Sequence, residues 1–122
     1  MKLKVIDAEF SVCKVRELGD ISAFGQYCFV GITDEENSLV CQTKFAPENT
    51  IERDDGWKGF RIEGQLDFSL IGILSKISAV LAENKIGIFA VSTYNTDYIL
   101  TKEESFERAL AALSSAGYEI ER

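Results

Sequence analysis

The spacing of apolar residues after Ser69 restricts the fold more than any other feature of this sequence. Large aliphatic residues recur there every three or four positions, as on a helix with one wide apolar face. These positions are Leu70, Leu74, Ile77 and Leu81. Residues 57–63, directly before them, alternate between polar and apolar like a half-buried strand. We therefore predict a helix that packs on a sheet.

The residues after this helix predict four more elements. Asn84 is expected to end the helix in a left-handed conformation, and residues 86–91 form a nearly all-apolar run that predicts a central strand. A turn at 94–97 and a strand at 98–100 complete a hairpin. Thr101 and Glu104 have the spacing of a capping box for a second helix, and Gly117 should end it. That helix is expected to bury Phe106, Ala109, Leu110 and Leu113.

With a last strand at 118–121, the second half is predicted to be α+β in the ferredoxin-like order βαββαβ. The first half is predicted to contain strands at 8–15, 27–33 and 38–42, with an acidic turn at 34–37. Residues 45–56, with the only proline and a charged run, are predicted to be a linker.

The two hairpins can be superposed in sequence at an offset of 60 residues, which suggests an internal duplication. The matched pairs are Phe29 with Phe89, Thr33 with Thr93, Leu39 with Ile99, and Val40 with Leu100. Residues 16–26 are too few for a long helix, so the first half cannot cover its own sheet. We predict a shortened unit at 1–56 and a complete unit at 57–122, and a homodimer.

Composition excludes several functions. The sequence has no histidine, which removes Ser-His-Asp relays, Cys-His relays and histidine-bearing zinc sites. A net charge of −7 argues against general binding to nucleic acid or anionic membranes. The cysteines lack CxxC spacing and are predicted to be reduced residues in the core or half-buried. Charge appears by residue 7, too early for a signal peptide. We expect a cytoplasmic protein.

Two segments could bind a ligand. Residues 63–72 run from a strand into a helix N-terminus, where free N–H groups favour a carboxylate, although Asp67 or Ser69 could simply cap the helix. Residues 92–98 place hydroxyls and one acid in a hairpin turn that could hold an ammonium group, although they could equally be an ordinary polar turn. We find no pattern for catalysis, a metal or a cofactor, and predict that the protein is not an enzyme.

The string from Phe60 to Leu74 and its continuation from Ile86 to Leu100 resemble a known family. They are similar to small bacterial ACT-domain proteins of the aspartokinase-like type, which are related to the ACT modules of animal cytosolic arginine sensors. The resemblance covers about residues 57–118 and, in the first half, only the hairpin. It implies tandem ACT-like units without catalytic activity, and an amino acid bound at an interface between units.

The resemblance also implies which residues contact the ligand. They fall in the strand–helix turn, the end of the following strand and the hairpin turn: Asp67, Phe68, Ser69, Leu70, Ile71, Gly72, Val91, Ser92, Thr93, Thr96 and Asp97. Thr96 and Asp97 could instead fix the turn. The leading hypothesis is an amino-acid-binding regulatory module. The alternative is a ligand-free module that docks on a partner enzyme.

Overall fold

The computed structural model describes residues 1–63 and 72–122, and strands predominate over helices. The elements in chain order are β1 (Lys2–Val15), β2 (Phe29–Ile32), β3 (Asn37–Gln42), β4 (Thr50–Ile62), α1 (Ile73–Glu83), β5 (Phe89–Ser92), β6 (Asp97–Lys102), α2 (Glu103–Ser115) and β7 (Glu119–Glu121). Single 3₁₀ turns lie at Ile21–Phe24 and Thr43–Phe45. No helix in the described part of the chain is long and apolar enough to cross a membrane.

The chain forms two compact units. One, here called the C-terminal unit, comprises Met1–Asp7 and Lys58–Arg122. The other, the N-terminal unit, comprises Ala8–Trp57. Residues 1–7 belong with the C-terminal residues because the start of β1 pairs in parallel with β7, with Lys2 opposite Glu119 and Lys4 opposite Glu121. The sequence pattern of β1 did not reveal this long-range pairing.

In the C-terminal unit the strand order is β7-β1-β4-β6-β5, and from β4 onward the elements alternate as predicted, βαββαβ. Its core is formed by the start of β1, by β4 and β6, and by both helices. The fully buried residues include Phe60, Ile62, Ile77, Leu81, Ile99 and Leu113. The apolar helical spacing of α1 is confirmed at Ile77 and Leu81, and α2 buries all four residues expected of it.

Three local predictions in this unit are wrong. Residues 86–91 do not form a central strand, because β5 lies at the edge and β1 and β4 take the inner positions. Asn84 is not left-handed (φ −94°): its side-chain amide donates to the Val80 carbonyl at 2.8 Å, and Lys85 takes the positive φ of 59°. The capping box does not form, because Thr101 is buried in β6, which runs directly into α2.

In the N-terminal unit the strand order is β2-β3-β1-β4. Its core contains Cys13, Val15, Phe24, Leu39 and Cys41. The prediction for the cysteines is confirmed: all three are unpaired, two are buried and Cys28 is half-buried. Burial, reinforced by the neighbouring thiols, raises the pKa of Cys41 to about 12, so this side chain remains a neutral thiol at physiological pH.

The predicted linker at 45–56 is wrong from Thr50 onward, where β4 begins. Asp55 in this segment has one partner on the same strand and one on β1. Asp55 accepts hydrogen bonds from the Ser11 hydroxyl at 2.5 Å and from the Arg53 guanidinium at 2.8 Å. Arg53 is a neighbour in sequence, but Ser11 is a fully buried residue of β1, 44 positions away, so the run of charges by itself resembles a loop.

Candidate ligand site at the β5–β6 turn

The β5–β6 turn is closed by two threonines. The Thr93 N–H and hydroxyl both donate to the Thr96 carbonyl, at 2.8 and 3.0 Å, and the Thr96 N–H donates back to the Thr93 hydroxyl oxygen at 3.4 Å. Where the two strands end, backbone N–H and C=O groups lack cross-strand partners, and these bonds supply partners for them. The turn therefore holds the neighbouring side chains of Ser92 and Asp97 in a fixed arrangement.

Ser92 and Asp97 form a polar pair where the two strands enter this turn. They face each other across the hairpin, and the Ser92 hydroxyl donates to one Asp97 carboxylate oxygen at 2.6 Å. Ser92 is exposed and Asp97 is half-buried. A carboxylate has acceptor capacity beyond one hydrogen bond, so this pair can accept an N–H donor such as an ammonium group. Val91 lies next to it as a half-buried apolar neighbour opposite Tyr98.

Thr96 joins this turn to the end of β4. Its side chain is only 7% exposed, and its hydroxyl donates to the Ile62 carbonyl at 2.7 Å. Ile62 lies two residues before the segment 64–71. The bond thus places the hairpin turn beside the point where the first candidate segment leaves β4. It also shows Thr96 fixing the turn, one of the two roles considered for it.

Gly72 begins α1 at the other end of the same segment. It has a positive φ of 82°, where a side chain would be strained, and its carbonyl accepts from the Lys76 N–H at 2.9 Å. As the N-cap it has no side chain with which to satisfy the first N–H groups of the helix. Those groups and the helix dipole favour an anion at this position.

Five of the predicted site residues lie outside the described residues: Asp67, Phe68, Ser69, Leu70 and Ile71. The structure places one end of the first segment, next to Ile62, beside the turn that contains the second segment. Among the described residues, no group of three or more His, Cys, Asp and Glu side chains could hold a metal ion.

Arg61 is a charged neighbour that the sequence patterns did not single out. Its guanidinium lies 3.4 Å from the Glu63 carboxylate, and its side chain also bonds to Tyr98 on β6. Burial alone lowers its pKa, but the hydrogen bonds to Tyr98 and Glu63 prevail and raise it, so the side chain remains cationic. The available signal was the alternation of β4, which places Arg61 between the buried residues Phe60 and Ile62.

Removing the Thr96 hydroxyl should loosen this arrangement. We expect Thr96→Val to lower the free energy of unfolding by about 1–2 kcal/mol, because the Ile62 carbonyl would lose a buried donor. Urea denaturation measures the change. Ser92→Ala is the control, since its hydrogen bond is exposed and should cost less. If the two substitutions cost the same, the Thr96–Ile62 bond does not stabilise the turn.

Comparison with known proteins identifies the family. A sequence profile of the ACT domain matches residues 52–115, which include β5, β6, both helices and the segment 64–71. The chain belongs to the ACT domain family. ACT domains are in general regulatory modules that bind small molecules. No curated protein sequence matches the chain.

Several solved structures share the fold of this ACT protein. It is similar to protein Atu0741 from Agobacterium tumefaciens, with 28% identity over 98% of this chain and 90% of that one, at a TM-score of 0.87. It also resembles VC0802 from Vibrio cholerae, with 18% identity over 92% and 86% of the chains and a TM-score of 0.76.

A third similar structure is the regulatory subunit of aspartate kinase from Thermus thermophilus. The identity is 13%, the coverage is 96% of this chain and 97% of that one, and the TM-score is 0.64. At that identity the likeness concerns the fold alone. With the ACT profile, it confirms the aspartokinase-like resemblance of the sequence.

Proposed function

We propose that this ACT protein is a non-catalytic regulatory module that binds an amino acid between the segment 64–72 and the β5–β6 turn. The observation that carries the proposal is the hydrogen bond from Thr96 to Ile62, which places the turn beside one end of that segment. The ACT profile spans both parts. The proposed contacts are those named from the resemblance: residues 67–72 together with Val91, Ser92, Thr93, Thr96 and Asp97.

The two parts supply complementary chemistry for a zwitterion. The N–H groups at the start of α1, following Gly72, would bind the carboxylate of the amino acid. The Ser92–Asp97 pair would accept hydrogen bonds from its ammonium group. Arg61 would not compete with the ammonium group for Asp97, because its charge is already shared with Glu63.

We further propose that the chain is a tandem of ferredoxin-like ACT units, with a shortened first unit, and that the ligand site lies at an interface between units. The two hairpins support this. Phe29 pairs with Val40 in β2–β3 as Phe89 pairs with Leu100 in β5–β6, and each subsequent pair follows at the same offset of 60 residues. Thr33 closes the first turn with the same bonds that Thr93 makes in the second.

The proposal includes a homodimer that regulates a partner enzyme in a reducing, cytoplasmic compartment. The C-terminal unit would present the two parts described above, and the shortened first unit or a second chain would complete the site. The three unpaired cysteines agree with a reducing compartment, because thiols persist there. The alternative is a ligand-free module that docks on its partner enzyme. The side chain of Tyr94, 75% exposed at the tip of the turn, would suit such a contact.

Thermal-shift measurements with each of the twenty amino acids test the proposal. At least one amino acid should raise the melting temperature, because a ligand at 100 times its dissociation constant stabilises the folded state by about 2.7 kcal/mol. Decarboxylated and N-acetylated forms of that amino acid are the controls and should give little or no shift. If none of the twenty stabilises the folded protein, amino-acid binding is excluded, and co-purification of a partner would then favour the docking alternative.

A further inference from the structure

Three cysteine thiols share one core in the N-terminal unit. Cys13 and Cys41 are buried members of this core, and the half-buried Cys28 packs against it. After burial itself, the other two thiols are the next causes of the raised pKa of Cys41, so all three lie close together. Two thiols in such a cluster can form a disulfide bond if the backbone sets them at the right separation.

The register of the β2–β3 hairpin places Cys28 opposite Cys41. At the start of β2, Phe29 pairs with Val40 in an antiparallel register, so the next position brings Cys28 opposite Cys41. Cys28 directly precedes the first residue of β2, and its peptide bond to Phe29 holds it there. Both side chains contact the same core, so they lie on the same face of the sheet.

The chain before Cys28 also remains beside β3. The side-chain amide of Gln42 donates to the Gln26 carbonyl at 3.1 Å, and these two residues flank the cysteine pair. The hairpin is therefore attached on both sides of Cys28, by the ladder of β2 with β3 on one side and by this bond on the other.

The hydrogen bonds of the hairpin show which kind of pair the two cysteines form. The Thr33 N–H donates to the Glu36 carbonyl at 2.9 Å, so these opposed residues are a hydrogen-bonded pair. Such pairs alternate with non-hydrogen-bonded pairs, in which the Cα atoms are about 4.5 Å apart. Four pairs of β2 with β3 lie between Thr33–Glu36 and the cysteines, so Cys28 and Cys41 are a non-hydrogen-bonded pair. A disulfide needs a Cα separation of about 4.4–6.8 Å, which this kind of pair provides.

Cys13 does not have this geometry toward either partner. On β1, Ser11 is opposite Cys41 and Cys13 is opposite Leu39, so Cys13 is the diagonal neighbour of Cys41. Diagonal residues are about 7–8 Å apart. A disulfide requires Cβ atoms about 3.5–4.5 Å apart. Strand β3 lies between Cys13 and Cys28, which separates those two still further. The register thus favours one of the three possible pairings.

We propose that Cys28 and Cys41 are a redox modification site, at which a low-molecular-weight disulfide such as oxidised glutathione converts them into an intramolecular disulfide. The Cys28 thiolate attacks one sulfur of the small disulfide, which forms a mixed disulfide and releases one small thiol. The Cys41 sulfur then attacks the Cys28 sulfur and releases the second small thiol. The two cysteines are oxidised, and their two electrons and two protons leave with the small thiols.

Burial determines the order of the two steps. Cys28 is half-buried and Cys41 is fully buried, so an external disulfide reaches Cys28 first. Burial also raises the pKa of both thiols, which keeps the thiolate fraction small and makes the first step slower than at an exposed cysteine. The second step requires no reagent inside the core, because the two thiols already face each other. The product would tie the edge strand β2 covalently to β3.

The test is to equilibrate the folded full-length chain with oxidised glutathione, quench it with acid and block the remaining thiols with N-ethylmaleimide in urea. Intact mass should show a monomer with one blocked thiol in place of three and no bound glutathione. Cleavage at glutamate separates the cysteines onto residues 10–17, 18–35 and 37–48. The second and third peptides should be linked until dithiothreitol is added, and the first should carry the blocked Cys13.

Two substitutions and one unfolded sample serve as controls. Cys28→Ala should leave both remaining thiols free, whereas Cys13→Ala, a truncation in the same core, should retain the linked peptides. The unaltered chain oxidised in urea should give all three pairings, because the register no longer restricts them. Three free thiols in the treated folded chain, glutathione retained on Cys28, a link that includes Cys13 or a link between two chains would overturn the proposal. No amino acid is present, so the result is independent of the site proposed in the C-terminal unit.

Discussion

Replacement of Leu81 by alanine is expected to lower the free energy of unfolding by about 2–5 kcal/mol. Leu81 is fully buried in the core between α1, α2 and the sheet of the C-terminal unit. Truncation removes apolar contacts and leaves a cavity that close-packed neighbours can fill only in part. Domains of this size are stable by about 5–15 kcal/mol, so the loss is a large fraction of the total. Urea denaturation followed by circular dichroism measures it.

Leu74→Ala is the matched control for this experiment, because it makes the same substitution on the same helix. Leu74 is only half-buried, packing at the margin of the core, so its truncation should cost clearly less than that of Leu81. The helical spacing alone treats the two residues as equivalent. If Leu74→Ala costs as much as Leu81→Ala, the orientation of α1 described here is wrong.

The double substitution Asp67→Ala with Ser92→Ala is expected to abolish the thermal shift caused by the stabilising amino acid. Ser92 supplies a hydroxyl to the proposed ammonium contact, and without it the Asp97 carboxylate loses its partner at 2.6 Å. Asp67 belongs to the segment for which the resemblance implies ligand contacts. Isothermal titration calorimetry should show affinity at least about tenfold weaker, since hydrogen bonds to charged groups contribute roughly 1.5–3 kcal/mol.

The control for this pair is Asp7→Ala with Ser114→Ala, which removes the same two side-chain types at exposed positions. This variant should bind the amino acid as the unaltered protein does. Unchanged affinity in the Asp67 and Ser92 variant would remove both residues from the site. Circular dichroism and denaturation of both variants distinguish a binding defect from a loss of folded protein.

The periodic parts of the sequence predicted the fold well where burial follows a simple pattern. The spacing of Ile77 and Leu81 and the alternation of Phe60 with Ile62 each correspond to residues that are fully buried. In such elements one face packs against the core, so the spacing of apolar side chains indicates which residues are buried. The βαββαβ order and the ACT resemblance both follow from these segments.

Predictions that depended on a distant partner failed. Residues 52–55 resemble a charged loop until Asp55 is seen to bond Ser11 and Arg53, after which they are part of a strand. The apolar run at 86–91 resembles a central strand, but β1 and β4 fill the inner positions, so β5 lies at the edge. Strand order and partner choice depend on residues far apart in the chain, which no local pattern encodes.

The candidate site also combines a feature that the local sequence predicts with contacts that only the folded chain shows. The sequence alone identified the polar turn at 92–97 by its residue types, but it could not show that Thr96 bonds Ile62 or that Arg61 engages Tyr98 and Glu63. Hydrogen bonds and charges act through space, and the residues that share them are separated in sequence.

The sequence by itself determined the helical and strand periods, the absence of histidine chemistry and membership of a regulatory family. The tertiary structure alone decided which strand lies at an edge, that residues 1–7 complete the sheet of the C-terminal unit, and which polar side chains meet at the β5–β6 turn. The physical reason is that periodicity reports only whether a side chain is buried. The identity of its neighbours is fixed when the whole chain packs.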